Sequence, residues 1–130
     1  MSFSGRMDRA FQNALRLPLS CRTRYILLSD CHRGTGNAND NFQKNEFLYL
    51  AALDYYFREN FICLELGDGD ELWENRSIER IKEAHRESFE MLARFYEAGR
   101  LYLIYGNHDM VKKNPTYRDK YFRTYFCDQE

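Results

Sequence analysis

Phe61-Ile62-Cys63-Leu64-Glu65-Leu66-Gly67-Asp68-Gly69-Asp70-Glu71-Leu72-Trp73 organises the chain: a short apolar run that ends abruptly in glycines and carboxylates. A run this short, stopped by glycine, suits a buried strand better than a helix. Two runs of the same kind flank it, Tyr25 to Ser29 before and Leu101 to Tyr105 after. Between the runs, Phe42 to Glu59 carries helix-periodic apolar spacing. Ser77 to Ala98 reads as one long helix, with Ser77 as N-cap, Arg80 where a capping box would place Glu, and Gly99 at the C-terminal stop. Strands alternating with helices of this length predict an α/β fold, a layered βαβαβ unit of parallel strands with both faces covered and right-handed crossovers.

Outward from this unit, residues 6–17 place Ala10, Phe11, Ala14, Leu15 and Leu17 on helical spacing and predict a short helix ending before Pro18. Pro115 is expected to open a last helix through Tyr117, Tyr121, Phe122 and Tyr125. The expected division is residues 1–23 as helix and lead-in and residues 24–130 as the domain, with no internal repeat or linker.

At 130 residues the chain fits one domain, and its hydrophobic share of 44% and charged share of 30% are those of a soluble globular protein. A net charge of -1 gives no general pull toward nucleic acid or membrane. Arg6, Arg9, Arg16, Arg22 and Arg24 against Asp8 leave +4 in the first 24 residues, read either as a solvated face or as a local attraction for phosphate-bearing ligands. The near-neutral total argues against a nucleic-acid partner. Ten Tyr and ten Phe point to amphipathic helices packed by large rings. Cys21, Cys31, Cys63 and Cys127 show no regular spacing, and no apolar leader precedes them, which favours reduced thiols and a cytoplasmic setting. Cys63 is expected in the core, whereas Cys31 lies between two candidate ligands. No apolar stretch approaches the roughly 18 residues of a membrane span.

In open α/β sheets, ligands bind beyond the carboxyl ends of the strands. Each apolar run ends there in donor atoms: Ser29-Asp30-Cys31-His32, then Gly67-Asp68-Gly69-Asp70-Glu71, then Gly106-Asn107-His108-Asp109. In extended backbone, Asp30 and His32 would point to the same side and reach one cation, although such a pair also occurs as a turn residue beside a satisfied histidine. Asp68, Asp70 and Glu71 crowd three carboxylates at the end of a buried strand, where a cation would relieve their repulsion. The alternative is a solvated loop shaped by Gly67 and Gly69. Trp73 and Leu72 are expected to cap the core rather than wall a pocket. The Asn107 amide oxygen is a hard ligand for Mn, Mg or Zn, and His108 beside it can handle a proton near neutral pH.

With these residues in view, the chain resembles the calcineurin-like metallophosphoesterase superfamily, whose ordered motifs are DxH, GDxxD or GDxxE, and GNHD or GNHE. The resemblance spans about residues 24–113, and Leu66 to Trp73 looks closest to its bacterial serine/threonine phosphatase-like or UDP-diacylglucosamine pyrophosphatase-like branch. It implies half of a calcineurin-like sandwich and a binuclear centre that hydrolyses a phosphomonoester or phosphodiester through a metal-bridging hydroxide. Asp30 and His32 would bind the first cation, Asp68 would bridge, and Asn107 would bind the second. Two divalent ions are implied, manganese first, with iron, zinc, nickel or magnesium acceptable. His108 would stand beside the leaving group, oriented by Glu71 or by the competing Asp70. Arg33 is a candidate contact for the phosphorylated substrate, or else a solvated loop residue.

The pattern departs from the superfamily in one respect. Members supply further histidines downstream, whereas this chain has only His32, His85 and His108, and His85 reads as a helix-packing or surface residue. The expectation is an incomplete N-terminal half whose open apolar face awaits a C-terminal half, self-association or another partner. The alternative function is a non-catalytic metal-binding or interaction fragment.

Overall fold

The computed structural model describes residues 2–119; Tyr121, Phe122, Tyr125 and Cys127 lie outside the described residues. Helix α1, Phe3–Gln12, is capped by the Ser2 hydroxyl, which accepts from the Gly5 N–H. Strand β1, Tyr25–Leu28, leads through a 3-10 turn at Gln43–Asn45 into helix α2, Glu46–Arg58. Strand β2, Ile62–Leu66, is followed by helices α3, Ile78–Ala84, and α4, Arg86–Glu97, and then by strand β3, Leu101–Ile104. A 3-10 turn at Met110–Lys113 follows, and residues 115–119 are helical, where Pro115 was expected to open a helix.

The three strands form one parallel sheet in the order β1-β2-β3. Register sets its two faces. Ile26, Cys63 and Leu101 align, as do Leu28, Glu65 and Leu103, and side chains alternate between faces along each strand. On this face α2 and α4 supply Leu53, Met91, Leu92 and Phe95, which pack with Cys63, Ile26, Leu28 and Leu101. A second cluster, Leu72, Ile78, Ile81, Phe89 and Ala93, continues the core under Leu101 and Leu103.

The structure differs from the sequence expectation in three places. The first helix, expected over residues 6–17, spans Phe3–Gln12 and leaves Ala14, Leu15 and Leu17 beyond its end. The opposite face of the sheet is not fully covered, because Leu27, Leu66 and Ile104 stay 56%, 38% and 55% exposed. Both long helices pack together on one side, so the apolar runs predicted a two-sided burial that α2 and α4 do not provide. The expected helix across Ser77–Ala98 is broken at His85, whose backbone (φ −123°, ψ 40°) leaves the helical region. The break has a polar cause. His85 Nε2 contacts Asp40 Oδ2 at 2.5 Å and Nδ1 contacts Glu46 Oε2 at 2.9 Å, drawing the residue out of the ladder. Hydrogen bonds to Ile81 and from Phe89 keep the helices aligned on either side of it.

Candidate metal centre

The loops after the three strands meet at one edge of the sheet. Backbone bonds zip the first to the second: Asp30, His32 and Arg33 N–H groups donate to the carbonyls of Gly67, Asp68 and Gly69, and Glu71 N–H returns to the Arg33 carbonyl. This requires left-handed backbone at Asp30 (φ 56°), His32 (φ 50°) and Asp68 (φ 52°). Among the described residues only Asn60 shares positive φ without being glycine. Asp30 and His32 therefore converge through these turns and not through the extended i, i+2 geometry that the sequence suggested. Left-handed conformation is unfavourable for L-residues and persists only where surrounding contacts enforce it.

Two glycines make the close approach feasible. A Cβ on Gly106 would lie 2.2 Å from Asp68 Oδ1, and one on Gly69 would strike the Glu65 carboxylate at 1.9 Å. Gly106 thus gives the second and third loops room to touch, and Gly69 makes room for the Glu65 carboxylate and the Arg33 guanidinium.

Side chains complete the cluster. Donor atoms of Asp30, His32 and Asp68 lie within 4.8 Å of one another, as do those of His32, Glu71 and His108. Glu71 stands behind both rings, with Oε2 at 2.7 Å from His32 Nδ1 and Oε1 at 2.8 Å from His108 Nδ1. A carboxylate only accepts, so each ring presents its N–H at Nδ1, and each neutral ring carries its lone pair on Nε2. His32 Nε2 points toward Asp30 Oδ1, 3.6 Å away. The rings meet edge to face at 4.6 Å, and Trp73, 67% exposed, leans on His108 at 4.9 Å. Of the pair Leu72 and Trp73, only Leu72 enters the core.

The protonation preferences follow from these contacts. The Ser29 hydroxyl bonded to Asp30 holds that carboxyl below its usual range. Burial works against ionisation of Glu71, but the hydrogen bonds from His108 and His32 outweigh it and its pKa falls. The same bond from Glu71 raises His108. Burial pushes the Cys31 thiol up to about 11.

Beneath the cluster runs a buried chain of charges. Arg33 is fully buried, donating through Nη1 and Nη2 to Glu65 at 2.8 and 2.7 Å and through Nε to Asp70 at 2.8 Å. Lys112 Nζ bridges Asp70 (2.7 Å) and Asp109 (2.8 Å), and Asp109 accepts from the N–H groups of Gly106, Asp68 and Gly69. Burial opposes ionisation of Asp70, yet Arg33 and Lys112 hold it well below the usual carboxylate range. Arg33 is thus neither a solvated loop residue nor a group open to a ligand, and Asp70 faces Arg33 and Lys112 while His108 takes Glu71.

The sequence-derived ligands Asp30, His32 and Asp68 are brought together; Asn107 sits exposed on the third loop. Glu65, Asp109 and Lys112 escaped the sequence reading as parts of this assembly. Glu65 left a trace, since one carboxylate inside an apolar strand demands a buried cation. Lys112 left only its three-residue spacing from Asp109. Beside Asp30 and His32 a cleft of about 570 Å³ opens, lined by Leu28, Phe42, Leu48, Tyr49, Asn41 and Asn45 among others.

The donor set fits a divalent cation: two carboxylates and an imidazole converge, and the histidine is held from behind by a third carboxylate, as oriented metal-ligating histidines are. No protein-family model, curated protein or solved structure matches this chain.

Proposed function

We propose that this chain is a metal-dependent phosphoesterase of the calcineurin-like type, with Asp30, His32 and Asp68 holding one divalent cation and Asp68 and Asn107 available to a second. The observation that carries this reading is the coincidence of strain and convergence. Three of the four non-glycine residues with left-handed backbone among the described residues form one of the two groups whose donor atoms converge. Strain of this kind clusters at functional sites.

Bound cations of this class supply Lewis acidity and lower the pKa of a coordinated water. The chain's own residues do the rest. Glu71 fixes both rings, so that His32 presents Nε2 to the cation and His108 is held nearby with its pKa raised. A protonated His108 can donate to a departing oxygen. Phosphorylated compounds are the substrate class, and manganese is the first cation to test.

A second reading, a metal-binding module without catalysis, is favoured by the count of imidazoles. Only His32 and His108 reach the cluster, because His85 is locked between Asp40 and Glu46. Calorimetric titration of the metal-free chain with Mn, together with p-nitrophenyl phosphate and bis-p-nitrophenyl phosphate assays, separates the two. The phosphoesterase reading expects Asp68→Asn to abolish metal binding and turnover, and His108→Ala to abolish turnover while metal still binds. Tight Mn binding without turnover in the unaltered chain supports the module, and absence of Mn binding refutes both.

A further inference from the structure

Helix α1 has no buried residue, and none of its side chains joins either core cluster. Its apolar residues nevertheless form an ordered stripe. At about 100° per residue, Ala10, Phe3, Met7 and Phe11 fall within an arc of about 100°. Phe3, Met7 and Phe11 are 72%, 57% and 74% exposed. Arg6 and Arg9 border one side of this stripe, and Arg16 and Arg22 follow on the exposed segment after it. None of these four arginines forms an ion pair among the described residues, whereas Arg24 is already engaged by Glu59 at 3.4 Å.

A ten-residue helix without packing is marginal in water, so its stripe calls for a cover. Two rings and one methionine present less area than the roughly 800 Å² per side of a specific protein interface. A bilayer surface has no such requirement: a lone helix lies in the plane of the headgroups, apolar side inward, with arginines at the level of the lipid phosphates. The positive excess of this segment, in a chain of net charge -1, makes the attraction local and selects anionic lipid.

We propose that α1 docks this chain peripherally on an anionic lipid surface, with the Phe3–Met7–Phe11 stripe entering the acyl boundary and Arg6, Arg9 and Arg16 meeting lipid phosphates. The proposal is independent of the phosphoesterase reading and survives its failure.

The test is flotation of the full chain with vesicles of phosphatidylcholine alone and of phosphatidylcholine mixed with phosphatidylglycerol, read beside far-UV circular dichroism. Expected are binding to the anionic vesicles, weak binding to the neutral ones and a gain of helicity on the anionic surface. Phe3→Ser with Phe11→Ser should weaken binding by roughly tenfold for each ring removed. Arg6→Gln with Arg9→Gln should weaken it by roughly fivefold for each arginine, and added salt should act in the same direction. Since α1 contributes nothing to the core, both double variants should keep the parent melting temperature, which separates lost docking from lost folding. No binding to anionic vesicles overturns the proposal, as does binding indifferent to the phenylalanine changes. A concentration-dependent dimer that the Phe3/Phe11 variant dissolves, without vesicle binding, overturns it in favour of a second copy of the chain.

Discussion

His32 and His85 both touch two carboxylates, in opposite surroundings. His85 is 1% exposed, lies between α3 and α4, and has both nitrogens occupied by Asp40 and Glu46; Glu46 is itself bonded by Ser88. His32 keeps its ring partly open, is gripped by Glu71 on one nitrogen, and turns the other toward Asp30 across 3.6 Å. One arrangement is closed and stabilises the packing of α2 against the α3–α4 junction. The other stops short of closure and sits on left-handed backbone. A histidine between acids is thus closed or open according to whether its last nitrogen is satisfied.

The contrast can be broken at several points. The largest effect is expected beneath the open cluster: Arg33→Met strands Glu65 and half of the Asp70 pairing in the core, and should destabilise the fold by about 4 kcal/mol. Urea unfolding would show it, and Glu65→Leu added to Arg33→Met should recover part of the loss. His85→Ala removes the partner of two carboxylates and should cost about 3 kcal/mol. Its melting temperature should fall by about 10 °C, while calorimetric Mn binding at the open cluster is retained.

A smaller effect concerns pH. Burial opposes ionisation of Asp40, but hydrogen bonds from the Gly36 N–H and His85 outweigh it and depress its pKa. A depressed folded pKa means that this stabilisation is complete above the unfolded value, about 3.9, and is lost as pH falls through the folded one. Urea midpoints measured from pH 6 downward should therefore fall on the acid side, less steeply in Asp40→Asn. The smallest effect is expected for Asp30→Gly. It relaxes a left-handed residue on the exposed rim, so the melting temperature should hold or rise by a few degrees while Mn affinity drops.

The sequence made the open cluster far more legible than the closed one. Strand ends terminating in Asp and His marked Asp30, His32 and Asp68, because three parallel strands must deliver their following loops to one edge. The choice of Glu71 over Asp70 as the partner of His108 was not legible, since adjacent carboxylates differ only in which way a tight turn aims them. Arg33 looked like a loop cation because its counter-charges, Glu65 and Asp70, are more than thirty residues away in the chain. The break at His85 was hidden for the same reason: periodicity reports apolar spacing and says nothing of a polar contact arriving from Asp40.

The chain of charges from Glu65 through Arg33, Asp70 and Lys112 to Asp109 has a consequence for how this centre can change. It fastens all three loops to the sheet from below, using none of Asp30, His32 or Asp68 as an ion-pair partner. Under the proposed function, Asp30 and His32 can be exchanged one at a time, altering cation preference, while the ion pairs beneath them stay in place.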